Sequence, residues 1–316
     1  MSNATRGPRG RAAYDPQANA RPGAPMEAPD DERQAAGEPG ERRDVPVRQL
    51  AMARYMIVVL REDGTVDLAD PELGNWRIRV PSFDGIVRVA AGYSHFLGLR
   101  SDGRVVVGGE GSDARRAERL RWQGAAAVSA CEGHSAMLTR DGRAVCVDGQ
   151  AALDPPGQYA DAVAAWEDVA QLALTYGEPY ARTLGGRFLC RDKALEAFFN
   201  DRKKPRISQI AAFQCYYAPP VVAALYLDGT VKAVCDGREI EQVRRWKRVR
   251  KVCCGNHAAV VALTDKGRVL CPDYLHYVDG AGREPACLKD VADLDVNFMR
   301  LVCLRRDGGL LSLAEE

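Results

Sequence analysis

Seven times along the chain an apolar run meets a tight turn at a glycine and resumes as a second apolar run. The glycines are Gly64, Gly103, Gly142, Gly186, Gly229, Gly267 and Gly308, separated by 39, 39, 44, 43, 38 and 41 residues. Aspartate precedes the glycine in five of the seven copies. Four residues before it stands Leu60, Leu99, Leu138, Leu225, Leu263 or Leu304, and the fourth copy alone departs, with Arg182. Aspartate bonds its own local backbone and glycine takes positive φ, which is what a two-residue hairpin turn requires. A period near forty residues, built on β-forming runs, admits only a repeat architecture.

Each copy holds more than one hairpin. About twenty residues before most of the glycines an aromatic or apolar anchor leads into a further run: Phe83, Trp122, Trp166, Trp246 and Leu288, as in "WEDVAQLAL" and "WKRVRKVCC". Roughly four short strands per ~40 residues is the pattern of a propeller blade. One such sheet is marginal alone, and radial stacking lets neighbouring sheets bury each other's faces. The expectation is an all-β chain: a seven-bladed β-propeller over residues 44–316. Residues 1–43 are rich in Arg, Pro, Ala and Gly and poor in aliphatics. They cannot bury enough apolar surface to offset ordering entropy, and read as a disordered tail.

The stretch "VRVAAGYSHFLGLRSDGRVVVGG" (87–109) and, after it, "AVSACEGHSAMLTRDGRAVCVDG" (127–149) resemble RCC1-like repeats, whose blades run V-x-x-V-A-A-G-x-x-H-x-x-x-L-x-x-D-G-x-V. The resemblance spans residues 45–316 and is strongest in copies two, three and six. The family's W-G-x-N-x-x-G-Q-L-G ending is reduced to "VGGEGS" (107–112) or lost, as in a divergent, bacterial member. What the resemblance implies is a seven-bladed propeller serving as a rigid disc that presents loops to protein partners. Relatives include a nucleotide exchange factor for a small GTPase and a β-lactamase inhibitor, roles that do not transfer by fold. Closure of the ring stays open at this point. The chain stops after the last hairpin, so the seventh blade is either one strand short or completed by a segment before Val45.

Composition sets outer bounds. With 44 basic and 43 acidic residues, no overall imbalance argues for nucleic acid or an anionic membrane. The longest apolar runs, such as "VVAALYL" (221–227), fall far short of a membrane span. The N-terminal arginines are followed by no apolar stretch, so no secretory signal is read and a soluble, cytoplasmic protein is expected. Ten cysteines without a C-x-x-C pair, in a chain of this length, suggest buried reduced thiols rather than a disulfide framework.

Candidates for chemistry are few. His95 and His134 stand eight residues before their turn glycines, His257 near the same place, and the position resembles the family's structural histidine. Cys254 and His257 in "CCGNH" have a spacing some zinc sites use, but successive strand residues face opposite sides, so Cys253 and Cys254 cannot share one ion. Catalytic, cofactor and metal residues are therefore expected to be absent, and the chain is read as no enzyme. Two binding surfaces remain. The first, for an unidentified protein partner, is the irregular region of copies four and five, with Phe198 and Phe199 at helical spacing and Tyr216 and Tyr217 before a Pro-Pro pair; insertions on a rigid ring often carry binding surface. The alternative is a nucleic acid or other polyanion held by Arg244, Arg245, Lys247, Arg248, Arg250 and Lys251, with Arg202, Lys203 and Lys204 in the preceding copy.

Overall fold

The computed structural model describes residues 45–315 apart from 55, 70–76, 110–113, 116, 119–121, 148–157, 216–217, 274–276, 279–287 and 298–299. The described residues lie in the unit Gly40–Glu316, so the sequence expectation for 1–43 falls outside them. Blade 1 comprises β1 (Val47–Met52), β2 (Ile57–Arg61), β3 (Val66–Ala69) and β4 (Arg77–Arg79). Blade 2 has β5 (Ile86–Ala91), β6 (His95–Arg100) and β7 (Val105–Gly109); blade 3 has β8 (Ala125–Cys131), β9 (His134–Thr139) and β10 (Ala144–Val147). Blade 4 has β11 (Val169–Leu174), β12 (Pro179–Thr183) and β13 (Phe188–Leu189). Blade 5 has β14 (Ile207–Phe213), β15 (Val221–Tyr226), β16 (Val231–Cys235) and β17 (Arg238–Glu239). Blade 6 has β18 (Val249–Cys254), β19 (Val260–Thr264) and β20 (Val269–Leu270). Blade 7 has β21 (Tyr277–Val278), β22 (Val291–Asn297), β23 (Arg300–Arg305) and β24 (Leu310–Glu315). Every pairing is antiparallel between neighbours in sequence, except that β21 joins the outer edge of β24.

The seven turn glycines all have positive φ, 74–86°. The carbonyl of each of the first six accepts an N–H from the first residue of the next blade's inner strand, at 2.9–3.1 Å, from Ile86 on Gly64 to Val291 on Gly267. Gly229 shows why no side chain fits: besides its φ, a Cβ there would stand 3.0 Å from the Arg248 backbone nitrogen. The recurring turn thus does two tasks, reversing the chain and docking the next blade.

Apolar seams complete the ring. The recurring leucines point toward the following blade: Leu138 into the core shared by blades 3 and 4, Leu225 into that of blades 5 and 6, Leu304 into that of blades 7 and 1. Phe83, Trp122 and Trp246 are buried and Trp166 and Leu288 partly so, which makes the anchor row a packing row. Burying one such large side chain stabilises by roughly 1.5–3 kcal/mol.

A second device recurs at the ring's inner wall. Each inner strand carries a β-bulge just before its third residue, which is Gln49, Arg88, Ala127, Gln171, Gln209, Lys251 and Asp293 in turn. Bulges bend a strand and re-aim the side chain. Here they turn it onto the neighbour's backbone. Gln49 donates to Val89 O at 2.8 Å and accepts from Val89 N–H at 3.2 Å. Gln171 does the same with Ile210, at 2.8 and 2.9 Å, and Gln209 with Val252, at 3.0 and 3.0 Å. Lys251 Nζ meets Asp293 Oδ1 at 2.7 Å, and the other Asp293 oxygen accepts Leu50 N–H at 3.2 Å.

Those last contacts join blade 7 to blade 1, reinforced by Asp295, which accepts Met52 N–H at 2.9 Å, and Asn297, which donates to Met52 O at 3.0 Å. Neither sequence expectation for the seventh blade describes it. Its outer strand is β21, from the stretch between β20 and β22, so blade 7 has four strands and blade 1 is built from its own segment. The join is made by side chains onto strand backbone, as at the glutamine-clasped seams.

Candidate functional site

The groups that sequence reading weighed for chemistry are occupied in structure. His95 and His134 are buried, and His95 Nε2 lies 2.8 Å from Ser135 Oγ of the next blade. His257 is on the surface in a positive-φ turn, φ 51°. Cys253 faces the blade 6–7 core, its Sγ toward Leu294 O, and Cys254 faces the blade 5–6 core, its Sγ toward Ala211 O. The alternation of a regular strand sends them apart. Burial pushes both thiols up, and Cys271 up to about 12. Thiols held protonated are poor nucleophiles and poor metal ligands. No disulfide joins the described cysteines. Among the described residues no group of three or more His, Cys, Asp or Glu side chains could hold a metal ion.

The basic run divides into engaged and free members. Arg244 grips Glu239, Nε to Oε1 at 2.7 Å, and Arg248 meets Asp265 at 2.6 Å. Arg250 donates to the carbonyls of Thr264 and Ala292, and Lys251 is committed to Asp293 at the inner wall. A cation already paired and partly buried is a poor phosphate ligand, so Lys251 belongs to the architecture, while Arg250 is exposed with its guanidinium on two carbonyls. Arg245 and Lys247 are exposed and have no ion-pair partner among the described residues; Arg202 and Lys203 are the same, whereas Lys204 donates to Thr230 Oγ1 at 3.2 Å.

The helical spacing read at copies four and five is a helix, Lys193–Phe199, capped by Asp192, whose carboxylate accepts from the Ala194 and Leu195 N–H groups. Phe199 is fully buried with Phe188, ring centroids 4.7 Å apart, and Tyr226 donates its hydroxyl proton to Phe199 O at 2.8 Å. That corrects its reading as contact surface, because a ring with no exposed area has nothing to offer a partner. Phe198 is half-buried, edge-on to Phe199 and under the Lys232 ammonium at 4.6 Å. Tyr216 and Tyr217 lie outside the described residues.

Sequence reading gave no role to three residues in this sector. Leu184 and Leu227 occupy the same turn position in adjacent blades and are 70% and 67% exposed, a position held elsewhere by Glu62, Ser101, Arg140, Asp265 and Arg306. Arg182 takes the place of the recurring leucine, in the seam of blades 4 and 5. One Nη donates to Thr183 O at 3.2 Å, its buried Nε has no hydrogen-bond partner, and burial lowers its pKa. The broken leucine row and two apolar residues at polar turn positions were the available signals.

A family model described as the Regulator of chromosome condensation (RCC1) repeat matches residues 86–113, that is, blade 2 and the stretch that follows it. The likeness to an RCC1 repeat thus lies in blade 2. Among solved structures, this propeller is similar to the CRINKLY WD40 ectodomain of the Arabidopsis thaliana receptor kinase ACR4, with a TM-score of 0.56 and 11% identity over 86% of this chain and 100% of that one. The ectodomain of the Physcomitrella patens receptor kinase CR4 is similar at TM-score 0.51 and 14% identity, over 72% of this chain and 63% of that one. Prp20p of Saccharomyces cerevisiae follows at TM-score 0.40 and 16% identity, over 85% and 68%. At these identities the first two likenesses speak for the fold alone. No curated protein matches the chain in sequence. No helix among the described residues is long and apolar enough to cross a membrane.

Proposed function

We propose that the chain is a non-enzymatic interaction module, a rigid ring that presents the surface of blades 4 and 5 to a protein partner in the cytoplasm. The observation that carries this reading is the contrast within one molecule. The histidines and cysteines that could do chemistry are mostly buried in the seams, while two large apolar side chains stand exposed at neighbouring turns of blades 4 and 5. Aromatic and apolar anchors at a surface are what protein interfaces use. The free thiols suit a reducing compartment.

A second reading, binding of a nucleic acid or other polyanion, is favoured by the exposed, unpaired set Arg202, Lys203, Arg245 and Lys247. One experiment separates the two: capture from native lysate, with and without nuclease, by the intact chain and by a variant reversing those four charges. A specific protein retained after nuclease supports the module, whether or not the charge-reversed variant keeps it. Recovery that vanishes in both treatments supports the polyanion reading and overturns the first.

A further inference from the structure

We infer that the turn face of blades 4 and 5 is a docking strip for an acidic peptide segment carrying apolar anchors. The inference rests on the interaction-module reading and names the chemistry of the partner. Leu184 and Leu227 are the two most exposed large apolar side chains among the described residues. They are not scattered. Between their turns runs Arg206, whose carbonyl accepts Leu227 N–H at 3.0 Å, while the next residue, Ile207, donates to Gly186 O at 3.1 Å. A Cβ on Gly186 would stand 2.7 Å from Arg206 Cβ, which measures how closely the two turns and this arginine pack. Beyond Leu227 the Gly229 turn abuts the backbone of Arg248, which follows Lys247. Leu184, Arg206, Leu227 and Lys247 therefore follow one another along the rim as alternating apolar and cationic side chains.

The charge on this side is net positive. Arg206, Lys203 and Lys247 are exposed without ion-pair partners among the described residues. Of the nearby acids, Asp201 pairs with Lys232 at 3.0 Å and Asp265 with Arg248, while Asp228, which accepts the N–H and the hydroxyl of Thr230, lies near Lys204 and Lys247 and offsets one of these cations. Glu167 and Asp168 are exposed beyond Leu184, where Leu184 N–H meets Asp168 O, and they bound the strip at that end. Beneath it Arg182 carries a guanidinium into the blade 4–5 seam, its Nε without a hydrogen-bond partner and with no ion pair to it among the described residues. Apolar side chains flanked by unpaired cations suit a partner with the complementary pair of features. A bare polyanion would leave the leucines wet, and a basic peptide would be repelled.

The test is selection from a phage-displayed library of short random peptides on the intact chain. Peptides with net negative charge and two apolar side chains should be enriched. Their affinity should fall at least about tenfold on Leu184→Ser/Leu227→Ser and on Arg206→Glu/Lys247→Glu, and stay unchanged on Arg140→Glu, an exposed basic turn residue of blade 3. All substituted residues are exposed, so unchanged melting temperatures keep the comparison clean. Enrichment of basic or neutral peptides, no enrichment at all, or indifference to the leucine pair overturns the inference. Vesicles of phosphatidylglycerol and phosphatidylcholine form a second arm, and vesicle binding that depends on both leucines overturns it in favour of a membrane. Lysate capture that survives Leu184→Ser/Leu227→Ser leaves the interaction module standing and removes only this strip.

Discussion

Two arcs of the ring are held together differently. From blade 4 through 5, 6, 7 and 1 to 2, every seam is clasped at the inner wall: by Gln171, by Gln209, by the Lys251–Asp293 pair, by Asp293 and Asp295, and by Gln49. From blade 2 through 3 to 4 the same bulge positions hold Arg88 and Ala127, and no clasp reaches Val128 or Leu172 among the described residues. The blade 2–3 core is also small, consisting of Leu99, Trp122, Ala125 and Met137 with a few partly buried neighbours. Yet blade 2 is where the repeat model matches. Sequence likeness therefore follows the turn, a local requirement every blade must meet, and is blind to the clasps, which depend on what the next blade presents. A carboxamide is well suited to a clasp because it offers one donor and one acceptor to the N–H and C=O of a single residue.

The largest effect that could break this comparison is expected from Gln209→Ala. It leaves the Val252 N–H and C=O without their partner in a partly buried site, where each unsatisfied group costs about 1–3 kcal/mol. The loss in urea unfolding should be about 3 kcal/mol, with Val252 amide exchange accelerated. Arg88→Ala, at the same position in the unclasped arc, should change stability by less than about 0.5 kcal/mol. Equal effects at the two positions would show that the clasps are incidental to the ring's cohesion.

Much of this was legible in advance, and the reasons for the rest are physical. The blade number, the turn and the leucine row could be read because a positive-φ turn and an inward apolar position each restrict residue type wherever they occur. The opposed orientation of Cys253 and Cys254 followed from strand pleat alone. The clasps were visible only as glutamines fifteen residues before Gly64 and Gly186, and the longer inner loop of blade 5 displaces Gln209 from that spacing. Strand β21 carries no repeat signature, since its place is set by the edge of β24. Helical spacing drew attention to Phe198 and Phe199, but it could not say which of them the sheet would cover.

Ala127→Gln would sharpen the comparison by writing a clasp into the unclasped arc. Its carboxamide would reach Leu172 as Gln171 reaches Ile210. Two net hydrogen bonds, offset by the rotamer freedom of the new side chain, leave a gain of up to about 1 kcal/mol. The Leu172 amide should exchange more slowly while Val252 is unchanged. A loss of stability instead would mean that the blade 3–4 seam is spaced differently from its clasped counterparts, and that alanine is there because nothing longer fits.

The smallest effect concerns the one clasp made of carboxylates. Asp295 accepts Met52 N–H and lies near Asp293 and the Lys251 ammonium; burial, the largest influence, raises its pKa against the opposing pull of Lys251 and the backbone donors. A carboxyl whose native pKa lies above its unfolded value binds its proton more tightly when folded. Its favourable contribution is full below the ordinary carboxylate range and is lost as pH rises through the native value. Asp295→Asn removes this dependence. It keeps one oxygen for Met52 N–H or for its own neighbour Val296 and forfeits the other bond, a loss that does not vary with pH. Relative to the parent, the variant should therefore improve steadily from about pH 4 toward neutrality in urea unfolding and then level off. The reverse slope would mean that the ionised carboxylate earns more from Lys251 than burial takes from it, and that the joint between blades 7 and 1 is an ion-pair closure where the glutamine-clasped seams are neutral.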